Sequence, residues 1–352
     1  MTQAQISRQL LHPLPLSAKV AIILNGNARE VNEGLIRELG QVIQDETLFV
    51  SRSLEQSKFI ARTILNKGFD VVLCGGGDGT YTQCITDIMG LHPARPPAFG
   101  ILRLGTGNAV AEALGASPAN SAGLSADLRW AHSPEAQLDL PLLRVEGRLA
   151  PFAGVGLDSL ILADYNGLKD TLRGTPLKAL GTGAMGYTLS IATQSFWRVL
   201  FQNQPVVTIR NEGAPTQRIN LQGDAIGHPI PRGGLIYRGQ VTLAAASTVP
   251  FYGLGLRLFP LAQLRKDRFQ LRIGNMHALS ILSHLPALFR GELDDPRLYD
   301  FPCTAVSIQA DPATPVQIGG DEVGLRQTLR IELSKVRAVG RILAPSRIAV
   351  SN

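Results

Sequence analysis

Four apolar residues, Val71-Val72-Leu73-Cys74, run into Gly75-Gly76-Gly77-Asp78-Gly79-Thr80, and Tyr81 to Met89 follow with helical spacing. A buried strand, a glycine turn and a helix start, in that order, commit this part of the chain to a layered strand–helix architecture. They also form an anion cradle. Glycines let the backbone approach a ligand closely, and the free N–H groups of a helix start point at it. Asp78 falls inside the cradle, where a carboxylate beside phosphates needs a cation between them. A nucleoside triphosphate with Mg²⁺ satisfies that pattern. A strand-to-helix turn with Asp78 as N-cap is the other reading of the same residues.

The flanking sequence repeats the unit. Lys19 to Asn25, Thr47 to Ser51, Asp70 to Cys74 and Ala98 to Leu102 read as strands; Val31 to Ile43, Leu54 to Asn66 and a stretch from Ala109 read as helices. Apolar strands separated by helices predict a doubly wound parallel sheet. Ligands of such sheets bind beyond the carboxyl ends of the strands. A second glycine turn, Leu104-Gly105-Thr106-Gly107-Asn108, falls at that edge too. Thr106 offers a hydroxyl and Asn108 an amide for phosphate or ribose oxygens. An ordinary left-handed turn capped by Asn108 is the alternative.

The pattern changes near Leu138. Short β-prone runs follow at Leu140 to Val145, Leu149 to Val155, Val206 to Ile209, Arg218 to Leu221, Gln240 to Ala246, Arg268 to Ile273, Ala305 to Gln309 and Val316 to Ile318. Helical patterns interrupt them at Tyr187 to Val199 and Leu279 to Phe289. We expect a tail over 1–17, an α/β nucleotide-binding domain over 18–137, a β-rich, antiparallel, sandwich-like domain over 138–328, and a segment over 329–352 returning to the first domain.

At 352 residues and 45% hydrophobic content the chain suits two domains with large cores. It has no run of eighteen apolar residues, and Met1 to Leu16 lack the pattern of a secretion leader. Three scattered cysteines, Cys74, Cys84 and Cys303, fit reduced thiols in a cytoplasmic protein. The net charge of +6 comes without basic blocks interleaved with aromatics, which argues against nucleic acid. A peripheral, anionic membrane surface suits that charge. His132, His228, His277 and His284 are isolated and read as packed or solvated. Gly181 to Gly186 has dinucleotide-loop spacing but no preceding strand, so it reads as a loop opening a helix. No heptad seam is present, and the oligomeric state is not legible.

Five segments in order resemble the diacylglycerol kinase and sphingosine kinase catalytic family. They are Gly76 to Thr80, Leu104 to Gly115, Gly154 to Asp158, Tyr252 to Ala262 and Val316 to Asp321. The resemblance implies a lipid kinase that moves the γ-phosphate of ATP to a lipid hydroxyl, of diacylglycerol or sphingoid type. ATP and Mg²⁺ would be its cofactors. Carried over, both glycine turns hold the nucleotide, Asn25 matches a first-strand asparagine, and Ser51 takes the place of a threonine in the adenosine pocket. Asp267 falls near a Mg²⁺-binding aspartate; a solvated loop charge is its other reading. Asp78 helps to place Mg²⁺ and the phosphates.

Three positions depart from the family. Ala109 and Gln83 replace an acidic Asp and Glu, and Gly319 stands where the general-base Asp of an Asp-Gly-Glu segment is expected. Asp321 is then the first candidate for proton acceptor and Glu322 the second. A non-catalytic lipid- or nucleotide-binding pseudokinase of the same fold is the alternative, and an NAD kinase sharing the Gly-Gly-Asp-Gly loop is a third. Asp158 reads as a cleft residue or a helix cap. Leu160, Ile161, Phe251, Tyr252 and Leu254 are the expected lipid-cleft residues.

Overall fold

A computed structural model describes residues 18–28, 30–42, 47–105, 108–156, 204–252, 255–276 and 278–340. Its first layer is built on β1 (Val20–Asn25). This strand pairs in parallel with β2 (Leu48–Ser51) on one side and β3 (Val71–Gly76) on the other, and β3 pairs in parallel with β4 (Ala98–Arg103). Between and after the strands come α1 (Glu33–Val42), α2 (Leu54–Lys67), α3 (Asp78–Met89), α4 (Ala109–Ala113) and α5 (Ser121–Ala131).

β1, β3 and β4 are buried almost throughout, because helices cover both faces of the sheet. Strand alternation divides their side chains. Ile23, Val72, Cys74 and Phe99 pack with Ile60, Ile64, Tyr81 and Ile85 of α2 and α3. Ile22, Leu24, Val71 and Leu73 pack with Leu39 of α1 and Leu124 of α5. Ser53 caps α2 by accepting from the Gln56 N–H, and Gly68 ends it in the left-handed region at φ 65°.

The β-rich part contains β5 (Gln137–Val145), β6 (Arg148–Ala150), β7 (Phe152–Gly156), β8 (Val206–Asn211), β9 (Thr216–Ile219), β10 (Ala225–Ile230), β11 (Leu235–Gln240), β12 (Leu243–Ser247), β13 (Phe269–Gly274), β14 (Leu298–Cys303), β15 (Ala305–Ile318) and β16 (Asp321–Val339). Pairing among these strands is antiparallel. Their inward faces form one apolar core around Val155, Ile209, Leu271, Phe301, Ile308 and Ile331. On the opposite face of β13 and β14 lies a buried ion pair: Arg272 donates to both oxygens of Asp300 at 2.8 Å, and a third donor of Arg272 reaches the Leu258 carbonyl.

The fold class matches the expectation: a doubly wound parallel layer joined to a β-rich, antiparallel part. Two details differ. Leu279 to Phe289 forms not one helix but two short ones, α6 (Ala278–Ser283) and α7 (Leu285–Arg290), parted at His284 with Pro286 in the first turn of α7. The runs at Ala305 and Val316 are a single 14-residue strand, carried through Pro312 and Pro315 by register shifts. β16, 19 residues long, pairs with β15 at its start and with β5 from Ile331 to Val339, and it meets β4 in parallel at Ala338–Phe99. The expectations for Tyr187 to Val199, Gly181 to Gly186, Asp158, Leu160, Ile161, Leu254, His277, 1–17 and 341–352 fall outside the described residues.

Candidate functional site

Four parallel strands end at one edge. In register there, Asn25 stands beside Ser51, Leu24 beside Gly75, and Gly76 beside Arg103. The two glycine turns meet at this edge. A Cβ on Gly105 would lie 2.2 Å from the Gly77 nitrogen and 2.3 Å from its Cα, so the turns touch backbone to backbone. Only glycine permits that approach. Thr106 and Gly107 fall outside the described residues. Asn108 closes its own turn by donating Nδ2 to the Gly105 carbonyl at 2.9 Å, and its buried Oδ1 has no partner among the described residues.

α3 starts at Asp78 with Gly77 as its N-cap and no side chain capping it. Its first-turn N–H groups are therefore donors for an anion. Asn25 Nδ2 donates to Thr80 Oγ1 at 2.9 Å, tying the end of β1 to that turn, while Asn25 Oδ1 accepts from the Asn27 N–H. The Ser51 hydroxyl donates to the Ser53 carbonyl at 3.0 Å, beside the start of α2.

Asp78 is not a loop residue aimed at phosphates. It is 5% exposed, and its two oxygens accept the Ala109 and Val110 N–H groups at 3.0 and 2.9 Å. It caps a helix, but α4 rather than its own. The carboxyl thereby bolts the second turn to the first. Burial lifts its pKa to about 6 against the pull of those two N–H groups. Ala109, in place of the family's Asp, contributes only its N–H to this bond. Gln83 donates to Asp87 at 2.8 Å, and the Ser57 hydroxyl donates to the same carboxylate.

The β15–β16 hairpin enters the site from the other part of the chain. Ile318 pairs with Asp321, and Gly319 and Gly320 between them have φ of 62° and 91°. A two-residue hairpin turn with both central residues in the left-handed region is satisfied by Gly-Gly. A Cβ at Gly319 would lie 2.3 Å from Thr82 Oγ1, so the turn is seated on α3. Asp321 follows directly. Its Oδ1 is 3.1 Å from where a side chain on Gly79 would begin, over the first turn of α3. Arg148 Nη1 is 3.9 Å from its Oδ2. Burial raises the Asp321 pKa and Arg148 opposes the rise; with half of the side chain exposed, solvent tempers both. Glu322 is exposed, and as the next residue of the strand it points to the opposite face.

Asp267 lies apart from this edge. Arg265 grips both of its oxygens at 3.1 and 2.9 Å, which lowers its pKa. Among the described residues no three His, Cys, Asp or Glu side chains converge as a metal cage. Phe251 and Tyr252, two of the expected lipid-cleft residues, pack with Phe152, Val249, Ala109 and Ala113, so that cluster backs onto α4. Tyr252 lies between Phe152 and Phe259, with ring centroids 4.7 and 5.7 Å away. Sequence reasoning missed Arg148 and the Arg103–Glu112 pair at 2.9 Å. Arg148 and Arg103 belong to no motif, and Glu112, although inside the Leu104 to Gly115 segment, carried no role there; only register and helix packing bring them to the edge.

The comparisons bear on this geometry. Residues 19–135, which hold both glycine turns, match the diacylglycerol kinase catalytic domain. The chain is 32% identical over 98 residues to a protein described as "Probable lipid kinase YegS-like" from Enterobacter sp. (strain 638), covering 27% of this chain and 32% of that protein. It is 30% identical over 112 residues to a protein of the same description from Chromohalobacter salexigens, covering 30% and 35%. The matched segment thus spans about a third of these relatives' length. The fold likeness extends further. A crystal structure of a diacylglycerol kinase from Bacillus anthracis str. Sterne has a TM-score of 0.61 at 15% identity, covering 92% of this chain and 97% of that one. A second structure from the same strain has a TM-score of 0.64 at 15% identity, covering 93% and 97%. At such identity the structures speak for fold. The matched residues hold the glycine edge, whereas Asp321 and Arg148 lie outside them.

Proposed function

We propose that this chain is an ATP-dependent lipid kinase that transfers the γ-phosphoryl group to a lipid hydroxyl. The observation that carries the reading is the placement of Asp321. A carboxylate from the β-rich part stands over the uncapped N-terminus of α3, beside two glycine turns held in backbone contact. In this reading 18–137 bind the nucleotide through Asn25, Gly75 to Thr80 and the turn at Gly105 to Asn108, with Ser51 near the adenosine. Residues 138–328 present the lipid, with Phe251 and Tyr252 near the second turn, and 329–352 return to the first domain. In this reading the protein works in the cytoplasm at a membrane surface, to which its net charge of +6 is suited.

Chemically, the lipid hydroxyl oxygen attacks phosphorus in line, the bond to the bridging oxygen breaks, and ADP leaves with that electron pair. Asp321 accepts the hydroxyl proton. Its raised pKa suits a base, and Gly319 has no side chain to compete. Asp78 acts through structure, holding the two turns together. The surroundings of Asp78 and Asp267 do not fit metal ligation, since one carboxylate is spent on backbone N–H groups and the other on Arg265. Mg²⁺ would enter with the nucleotide, carried by phosphates and water, and would supply charge neutralisation there.

The test is transfer of labelled phosphate from ATP to a panel of micellar lipids by wild type, Asp321→Asn and Glu322→Gln. Wild type should label at least one lipid. Asp321→Asn should be slower by about 10²–10⁴-fold with ATP binding retained, and Glu322→Gln should stay near wild type. ATP binding without transfer to any lipid would instead support the non-catalytic reading.

A further inference from the structure

We infer that Arg148 is a second catalytic residue, donating to the terminal phosphate of the nucleotide while Asp321 receives the proton. The inference rests on the phosphoryl-transfer reading above. The glycine loop from Gly75 to Thr80 contains no lysine. A side-chain cation to share, with the Mg²⁺ of the nucleotide, the charge spread over the transferred group would therefore come from elsewhere in the fold.

Among the described residues three arginines stand near the cradle, and they differ in what already holds them. Arg52 donates to Glu33 at 3.1 Å, and Arg103 donates to Glu112 at 2.9 Å. The Arg148 side chain makes no hydrogen bond among the described residues. Its nearest carboxylate oxygen, on Asp321, is 3.9 Å away, and its side chain is 38% exposed. Its five N–H donors are thus unspent, in a fork that matches phosphate oxygens.

Its backbone is fixed. β6 lies against α3, where the Leu149 N–H donates to Thr86 Oγ1 at 3.0 Å. Val145 pairs with Arg148 across the β5–β6 turn. The guanidinium is therefore presented beside the first turn of α3 by a short, anchored strand. Its partner Asp321 stands over Gly79 in that same turn. A phosphate on those N–H groups meets Arg148 on the side from which Asp321 serves the incoming hydroxyl. The proton passes to Asp321, and Arg148 stays charged throughout.

Calorimetry of ATP and of ADP, each with Mg²⁺, tests this on the full chain. Arg148→Gln should lower the ratio of ATP to ADP affinity by about tenfold or more, as expected for a charge-assisted bond made only by the terminal phosphate. Arg148→Lys should lose less. Arg144→Gln, exposed on the neighbouring strand β5, should leave the ratio unchanged. With a labelled lipid, Arg148→Gln should lower kcat and leave the lipid KM in place. An unchanged ratio in a folded Arg148→Gln, or an equal loss in Arg144→Gln, overturns the inference. Failure of wild type to label any lipid would sink the kinase reading, yet the affinity ratio would still decide Arg148. Absence of all nucleotide binding would overturn both.

Discussion

Gly319→Asp restores the residue that the family resemblance places at the general-base position, and the structure predicts that it damages the protein. Two costs add. At φ 62° an L-residue pays roughly 1–2 kcal/mol for the left-handed region. A Cβ there would also stand 2.3 Å from Thr82 Oγ1 and 2.9 Å from Thr82 Cγ2, in a packed seam where overfilling costs about 1–3 kcal/mol. The sum is roughly 2–5 kcal/mol, read as a lowered urea midpoint with an unchanged slope. A series separates the parts. Gly319→Ala carries both costs. Adding Thr82→Ala removes the two closest atoms and should leave only the backbone share, about 1–2 kcal/mol. The Thr82 hydroxyl has no hydrogen-bond partner to lose among the described residues. Lipid labelling by Gly319→Asp should not exceed that of wild type. If Gly319→Ala stays within about 0.5 kcal/mol of wild type, the level of an ordinary surface change, the reasoning about this hairpin is wrong.

Other outcomes follow from the same geometry. Asp78, raised from 3.8 to about 6, keeps its proton in the native state between about pH 4 and 6 while the unfolded chain has released it. Its contribution is full below about pH 4 and is lost as pH rises through about 6, by up to ~3 kcal/mol. The unfolding free energy of wild type minus that of Asp78→Asn should fall across this window; a flat difference would refute the assignment. Gly105→Ala drives a methyl into the Gly77 backbone, so nucleotide binding by thermal shift should vanish, with about 1–3 kcal/mol of stability lost. Arg272→Met strands a buried Asp300 carboxylate and should cost about 3–5 kcal/mol by urea unfolding. Arg272→Met with Asp300→Leu should recover most of that loss.

What the sequence made legible was whatever repeats locally. Val71 to Cys74 alternate between two helix-covered faces, so the strand, its parallel partners and the glycine edge could be read from periodicity alone. Contacts across long separations could not. Asp78 looks like a loop carboxylate until the fold brings the Ala109 and Val110 N–H groups, some thirty residues on, against both of its oxygens. The departure at Gly319 read as a missing base. In the structure it is a hairpin turn that needs two positive φ angles, and this sets Asp321 over Gly79. β10 escaped notice because its Ala-Ile-Gly-His-Pro-Ile stretch is exposed along nearly its whole length and shows no alternation. Arg148 carried no signal, since a lone arginine after a Glu-Gly turn is ordinary until Asp321 arrives beside it.

The single long strand β16 also bears on how the chain emerges from the ribosome. β4 finishes near residue 103, but its outer neighbour is the far end of β16, through Ala338 beside Phe99. β5 waits for the same strand along nine successive pairs, Gln137 to Val145. The amino-terminal layer therefore keeps an unpaired edge while more than two hundred further residues are translated. Sequential, unit-by-unit folding during synthesis is closed to this topology, and the nascent chain's open edge is exposed to sticking to its neighbours until β16, Asp321–Val339, is made.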